Sequence, residues 1–358
     1  MANGFIANVS HANSGGVTYN APVEVRNTCG LYTGTVNPNG NLTLGNVNFV
    51  TAQIIERSQG SFTSAPIYGA NVVRSVTYTT TNFEVLPANG LTLTTGFEIP
   101  TVSGARLLNG TLSMNTYYNV QLGFPMTVGT GNINNTGALT LSRGILISSQ
   151  TNMLTINLPP GTGISTGSAP STASPSTTAG SYVTAPFRVQ MPFSGTTARA
   201  FPLGVGTQTN DLTGIPTKNV LLNFSISPGT TPWQGQLVTV NVYGSPSGKG
   251  NAPINAVMGK RTFGLTYNGG PTLPTTATLT LNAVLDDGLF NNAGDLLIAQ
   301  GSSLNGPWTS RMVNGTGTGI ITGTSSRTTT IALSTDSLFC WATSGPTGKL
   351  WVGGATGN

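Results

Sequence analysis

The chain has 358 residues, which is enough for one large domain or two medium domains with buried cores. Only 6% of the residues are charged, and the formal net charge of +5 comes from basic residues that are scattered rather than clustered. This composition excludes disorder of the highly charged kind. It also argues against a nucleic-acid partner, because phosphate binding needs clustered cations. No apolar run approaches the ~20 residues of a membrane span, so we expect no membrane insertion.

Glycine, threonine, asparagine and serine fill the place of the missing charges, with 48 glycines and 22 prolines in the chain. Threonine favours strands, whereas glycine, asparagine and proline disfavour helices. No convincing amphipathic helix pattern occurs anywhere in the chain. The composition and the patterning therefore predict an all-β fold.

The first part of the chain is expected to consist of short strands. Residues 1–16 are polar and glycine-rich and predict an N-terminal arm or a first loose strand. Residues 17–160 contain short alternating runs such as Leu42-Thr43-Leu44 and Leu139-Thr140-Leu141, separated by Asn/Gly turns. This pattern is typical of stacked parallel β coils, that is, a β-solenoid-like domain. Because the period is irregular, a meandering sandwich remains the competing architecture.

The second part of the chain has longer strands. Residues 161–180 are rich in Ser, Thr, Gly and Pro and predict a linker between domains or an exposed loop inserted near a domain boundary, of which we favour the loop. Residues 181–345 contain seven or eight alternating runs, such as 236–243, which predict an antiparallel β-sandwich. Residues 346–358 form a glycine-rich tail.

The sequence contains little that could carry catalysis. His11 is the one histidine, and it lies in the polar arm without an acidic neighbour. A nucleophilic relay needs a positioned histidine and acid, so we expect no enzyme activity and no cofactor. The best metal candidate is a weak calcium site formed by Asp286, Asp287 and Asp295, although their spacing does not match an EF-hand loop.

The cysteines and the tryptophans each allow two interpretations. Cys29 and Cys340 lie near opposite ends of the chain and match no metal or redox spacing. Small buried thiols are the favoured interpretation, and the alternative is a disulfide, either within the chain or between neighbouring subunits. Trp233 and Trp308 follow prolines at strand entries and are expected to pack in the core, while stacking on sugars is the alternative.

Several phrases of the sequence resemble a known group of proteins. The phrases are Leu139-Thr140-Leu141-Ser142-Arg143-Gly144-Ile145-Leu146, then Ser181-Tyr182-Val183-Thr184-Ala185-Pro186-Phe187-Arg188, and then Phe201-Pro202-Leu203-Gly204. They are similar to phrases in the large repetitive secreted cell-surface proteins of Bacteroidota and related phyla, many of which use type IX secretion. The resemblance implies an extracellular or cell-surface location, with β-helix-like repeats followed by a β-sandwich. In that group the triplet Asp336-Ser337-Leu338 would make Ser337 an O-glycosylation site.

These observations predict an extracellular structural protein. We expect a subunit of a surface fibre, filament, sheath or adhesive layer, with copies joined into a homopolymer through β-strand contacts. Phe5 and Ile6 would anchor the contact made by the arm. The alternative is a non-catalytic carbohydrate-binding or spacer module of a secreted polysaccharide-degrading system, with polysaccharide or cell-surface glycans as partners.

Overall fold

The protein is described by a computed structural model. The structure describes residues 5–45, 53–68, 81–85, 92–93, 101–102, 105–108, 111–129, 138–157, 182–191, 199–205, 220–228, 237–268, 276–283, 296–311, 325–332 and 336–344. Every regular element in these residues is a β-strand, which confirms the predicted all-β fold for this part of the chain. Across the same ranges there is no helix long and apolar enough to cross a membrane.

The described residues form 27 strands. In chain order these are β1 (Phe5–Ala12), β2 (Val17–Thr18), β3 (Val23–Thr33), β4 (Thr35–Asn37), β5 (Leu42–Leu44), β6 (Gln53–Arg57), β7 (Ser61–Phe62), β8 (Ile67–Tyr68), β9 (Thr81–Val85), β10 (Thr92–Leu93), β11 (Thr101–Val102), β12 (Ala105–Leu108), β13 (Thr111–Leu122), β14 (Met126–Val128), β15 (Ala138–Ile147), β16 (Leu154–Ile156), β17 (Tyr182–Thr184), β18 (Phe187–Gln190), β19 (Arg199–Val205), β20 (Val220–Pro228), β21 (Leu237–Tyr243), β22 (Ala256–Asn268), β23 (Thr276–Ala283), β24 (Leu296–Gly301), β25 (Thr309–Ser310), β26 (Ser325–Ala332) and β27 (Asp336–Thr343).

The strands form three sheets. Sheet A has 14 described strands in the order β26-β23-β20-β19-β17-β15-β13-β9-β6-β3-β5-β8, with β1 also paired to β3 and β10 to β13. Sheet C has ten, in the order β11-β12-β14-β16-β18-β21-β22-β27-β24-β25. Sheet B contains β2, β4 and β7. Sheet A therefore contains strands from both the N-terminal and the C-terminal parts of the chain.

The N-terminal part of sheet A is parallel and in register. One row of paired residues runs across six strands, from β1 to β15, and consists of Val9, Cys29, Ile55, Phe83, Leu112 and Leu139. All of these except Val9 are completely buried. The next residue of each strand forms a more polar row on the opposite face, namely Ser10, Gly30, Glu56, Glu84, Ser113 and Thr140. Period-2 alternation thus keeps one apolar row inside the molecule.

From β13 to β19 the chain alternates between sheets A and C. The strands β13, β15, β17 and β19 are parallel in sheet A, and β14, β16 and β18 are parallel in sheet C. The pairing becomes antiparallel at β20 in sheet A and at β21 in sheet C, and it stays antiparallel through β26, β27 and β25. Both sheets are therefore shared by the parallel and the antiparallel parts.

One main hydrophobic core is formed by residues of both parts of the chain, from Val25 near the start to Trp341 near the end. A smaller core of Ile254, Leu297, Ala299, Trp308, Cys340 and Ala342 covers the other side of β24 and β27. Successive residues of these two strands point to opposite faces, so Phe339 joins the main core and Cys340 joins the smaller one.

The described structure bears on the expected organisation in two places. Residues Phe5–Ala12 of the expected arm form β1, which pairs with β3, and residues 13–16 form a hydrogen-bonded turn in which the Gly16 amide donates to the Asn13 carbonyl at 3.0 Å. The expected loop at 161–180 and the tail at 346–358 lie outside the described residues. The division into domains at 17–160 and 181–345 stays a prediction.

Candidate assembly edge

The first strand, β1, lies at one end of sheet A. Among the described residues it is hydrogen-bonded to β3 alone, in parallel, with Phe5 opposite Glu24 and Val9 opposite Cys29. Register irregularities fall between Ile6 and Asn8 and between His11 and Ala12. The other side of an edge strand presents N–H and C=O groups that another strand could use. We call this side of β1 the assembly edge.

The start of the assembly edge exposes large apolar side chains. Phe5 is 57% exposed and Ile6 is 39% exposed, and these are two of the three large hydrophobic residues that are exposed in the described part of the chain. The third is Tyr243, at 40% in sheet C. Of the eight residues of β1, only His11 is buried. The two residues predicted from the sequence to anchor a contact are thus placed on the surface together.

A small charged cluster fixes the Phe5 ring. The Arg26 guanidinium carbon lies 3.8 Å from the ring centroid, the distance of a cation–π contact. Arg26 Nε also donates to Glu24 Oε1 at 2.9 Å, and both residues belong to β3. The ring is therefore held on one side by β3 while its remaining surface faces solvent.

The other end of β1 is anchored in the interior. His11 is 5% exposed, and its Nε2 lies 3.2 Å from the Tyr19 hydroxyl, with the two rings edge-to-face at 5.8 Å. Burial lowers the pKa of His11, and burial together with the charge of Cys29 raises the pKa of Tyr19 to about 12. Both groups are therefore neutral at pH 7. The end near His11 is buried, whereas the end near Phe5 is exposed.

A second polar cluster lies on the opposite face of sheet A from the apolar row. The Tyr32 hydroxyl donates to Glu56 Oε2 at 2.5 Å, and Glu56 is directly opposite Glu84 on the next strand. The hydrogen bond to Glu56 raises the pKa of Tyr32, with burial adding to the effect. The sequence contains these carboxylates without any sign of their pairing, which depends on the register of β6 against β9.

The structure describes the two cysteines but not the predicted calcium ligands. Asp286, Asp287 and Asp295 lie outside the described residues, and within those residues no group of three or more His, Cys, Asp or Glu is placed to hold a metal ion. Cys29 and Cys340 are both free thiols and both completely buried, so the structure contains no disulfide between them. Burial raises the pKa of Cys29 to about 12 and also raises that of Cys340.

Ser337, the glycosylation candidate, is only 1% exposed in β27. Its Oγ accepts a hydrogen bond from Gln300 Nε2 at 2.9 Å, and Arg311 Nε donates to Gln300 Oε1 at 2.8 Å. A glycosyltransferase could reach this hydroxyl only before the strand folds. The burial of Ser337 therefore argues against modification of the folded protein, and the site stays a prediction.

The described tryptophans are core residues. Trp308 is completely buried, and its Nε1 donates to the Ser247 carbonyl at 2.7 Å. Trp341 is 1% exposed and belongs to the main core. Trp233 and Trp351 lie outside the described residues. The described tryptophans therefore offer no platform for stacking on a sugar.

Sequence reasoning missed two of these surface features. Arg26 contacts Phe5 only because β1 and β3 are adjacent, and no local signal indicates that pairing. Tyr243 lies at the end of an alternating run, and its exposure depends on the neighbouring strand β22. The Tyr243 ring lies against Gly264 of β22, where an added Cβ would be 2.5 Å from Tyr243 Cε2.

Comparison of the chain with protein-family models, with curated proteins and with solved structures gives no match.

Proposed function

We propose that this protein is an extracellular structural subunit whose copies assemble through β-strand contacts into a fibre, filament or surface layer. The observation that carries the proposal is the assembly edge, where an eight-residue edge strand without a charged side chain exposes Phe5 and Ile6. The proposal is of a structural protein rather than of an enzyme, and its partner is a second copy of the same chain.

The assembly edge lacks most of the devices that normally prevent strands from associating, although its two register irregularities are of the kind that some protected edges use. Soluble β-proteins protect their edges with lysine or glutamate, with proline, or with very short strands. The sequence of β1, FIANVSHA, contains none of these residues and is eight residues long. A second strand could therefore satisfy its free backbone groups without burying a charge, while covering Phe5 and Ile6.

We also propose the finer architecture that the sequence predicts, a β-solenoid-like part followed by an antiparallel β-sandwich. Support for the solenoid-like part comes from the parallel pairing of sheet A from β1 to β19. Support for the sandwich comes from the antiparallel strands that follow in sheets A and C. Solenoids have open ends unless a cap covers them. Such an architecture would place the assembly edge at an end of the stack.

The test is to place positive charges on the assembly edge. In the double variant Phe5→Lys/Ile6→Lys, two charged side chains would have to lose water at the joint, and the exposed apolar surface would be lost. The matched control is Tyr243→Lys, which makes the same kind of change at the other exposed large side chain. Sedimentation velocity and electron microscopy over a range of concentrations measure assembly, and circular dichroism checks the fold.

We expect the wild type and Tyr243→Lys to form polymers and the double variant to remain a folded monomer. A wild type that is monomeric at all concentrations would refute the proposal. So would a folded double variant that polymerises as well as the wild type does. The alternative, a glycan-binding module, would be supported by monomers that bind polysaccharide, and the two described tryptophans give it no support.

A further inference from the structure

The strand at the opposite end of sheet A from β1 is β26. It is hydrogen-bonded to β23, and among the described residues it has no strand on its other side. We propose that β1 of one copy pairs antiparallel with β26 of the next copy, so that sheet A continues from copy to copy in a head-to-tail filament. This inference rests on the proposed function and names the partner surface.

The two strands match in length and in charge. Both β1 and β26 have eight residues, with the sequences FIANVSHA and SSRTTTIA. The pair contains one charged residue, Arg327, so no like charges would face each other across the joint. Threonine and isoleucine also favour the extended conformation. The full length of both strands could therefore pair.

The direction of the strands determines the geometry of the joint. β1 is parallel to β3, and parallel pairing continues through the sheet to β19. The pairs β19–β20, β20–β23 and β23–β26 are all antiparallel. Three reversals leave β26 running opposite to β1. A copy placed in the same orientation beyond β26 would therefore present its β1 antiparallel to β26, which continues the antiparallel pattern of that part of the sheet.

Sheet C differs from sheet A, because the strands at its two ends are very short. Its terminal strands β11 and β25 have only two residues each. Very short edge strands are one of the ways in which proteins prevent edge-to-edge association. In sheet A the strands β1 and β26 have eight residues each, although the branch through β5 ends at the two-residue strand β8. This selects β1 and β26 as the edges along which a sheet could continue between copies.

A joint between two different edges stays open when successive copies keep the same orientation, as proposed here. A contact between β1 and β1 would be symmetric and would produce a closed dimer, whereas a contact between β1 and β26 leaves a free β26 on one end and a free β1 on the other. Each added copy restores the same free edge. The product would be a polar, open filament.

The test uses cysteines placed on the two edges in separate batches of full-length protein. One batch carries Ala7→Cys or Asn8→Cys, which are exposed neighbouring positions of β1. The other carries Thr328→Cys or Thr329→Cys, neighbouring positions of β26. Neighbouring positions sample both faces of a strand, and paired strands hold Cα atoms close enough for a disulfide. The native Cys29 and Cys340 are buried, so they are not expected to cross-link copies.

We expect mild oxidation of the mixed batches to give cross-linked dimers. Either batch oxidised alone should give no such dimers. Dimers formed by the β1 batch alone would show a β1–β1 contact, which overturns this inference and leaves assembly through β1 intact. In a second arm, Thr328→Lys, opposite the half-buried Thr280, should abolish filaments. A folded Thr328→Lys protein that still forms them would also overturn the inference. If the wild type does not assemble at all, the proposed function itself is refuted, and this inference with it.

Discussion

His11 connects the start of the chain to the interior. It is the only histidine in the sequence, it is almost fully buried on β1, and it lies within 3.2 Å of the Tyr19 hydroxyl. Because the pKa of His11 is lowered in the folded state, the unfolded chain takes up a proton more readily. The stabilisation is therefore present above the unfolded pKa of about 6.5 and is lost as the pH falls towards the folded pKa.

We accordingly expect the free energy of unfolding to fall between pH 7 and pH 5 and the amide protons of β1 to exchange faster at pH 5. Urea unfolding and hydrogen exchange at the two pH values measure these effects. His11→Gln keeps a polar side chain that does not titrate, so its pH dependence over this range should be weaker. An equal loss of stability in His11→Gln would assign the effect to the carboxylates instead.

Trp308 and Trp341 differ in how their indole N–H groups are satisfied. Trp308 Nε1 donates to the Ser247 carbonyl, whereas the buried Trp341 Nε1 has no hydrogen-bond partner among the described residues. Replacing each with phenylalanine leaves a similar cavity, but among the described residues only Trp308→Phe breaks a hydrogen bond. A buried donor without a partner is itself unfavourable, so its removal from Trp341 offsets part of the cavity cost.

Trp308→Phe should therefore destabilise the protein by about 1–3 kcal/mol more than Trp341→Phe does, which is the usual cost of an unsatisfied buried donor. Urea unfolding followed by far-UV circular dichroism measures both variants on the same scale. Equal losses would mean that the hydrogen bond to Ser247 adds nothing to stability.

The connection between β3 and β4 depends on a glycine. Gly34 has φ of 73°, and a Cβ added to it would lie 2.0 Å from the Asn13 carbonyl oxygen, in the turn that follows β1. Gly40 has a similar φ of 67° but has no atom within 4 Å of the same position. Both glycines have a positive φ, which favours glycine over other residues. Only at Gly34 would an added Cβ also collide with neighbouring atoms.

Gly40→Ala should cost about 1–2 kcal/mol, because a left-handed conformation is unfavourable for alanine. Gly34→Ala should cost about 1–3 kcal/mol more, which is typical of overpacking, since backbone atoms have to move. Denaturant unfolding of the two variants gives the comparison. Similar values would show that the turn at Asn13 can shift at little cost.

The whole molecule is organised around sheets that cross the predicted domain boundary. β15 pairs with β17 and β16 pairs with β18, so strands on both sides of residues 161–180 bond to each other. The main core also contains residues from both parts. A separate residue 181–345 fragment would expose an edge of β17 and of β18 together with buried residues such as Val183 and Phe187.

We therefore expect one cooperative unfolding transition for the full chain and no stable fold for the 181–345 fragment. Differential scanning calorimetry tests the first expectation, and circular dichroism and proteolysis of the fragment test the second. Two well-separated transitions, or a protease-resistant fragment, would support two independent domains at the predicted boundary.

Local alternation made many strands predictable from the sequence. In Leu42-Thr43-Leu44 the leucines are buried and the threonine is half-buried, as an alternating strand with one inward face requires. Leu154-Thr155-Ile156 has the same pattern. Because alternation is a property of neighbouring residues, it can be recognised without knowledge of the rest of the fold. The prediction that Phe5 and Ile6 anchor a short strand had a different local basis, namely two apolar residues within a polar, glycine-rich arm.

The partners of each strand could not be predicted in this way, because pairing joins residues that are far apart in the sequence. Arg188 is opposite Thr155 on one side and Thr239 on the other, and it hydrogen-bonds Thr239 at 2.9 Å. The apolar run Leu296–Gly301 shows the same limit, since five successive residues are buried on two faces. The smaller core covers its second face, with Ile254 and β27 contributed from distant parts of the sequence and Trp308 from the loop that follows β24. The assembly edge exists for a similar reason, because β1 is an edge only once the order of the strands in sheet A is set.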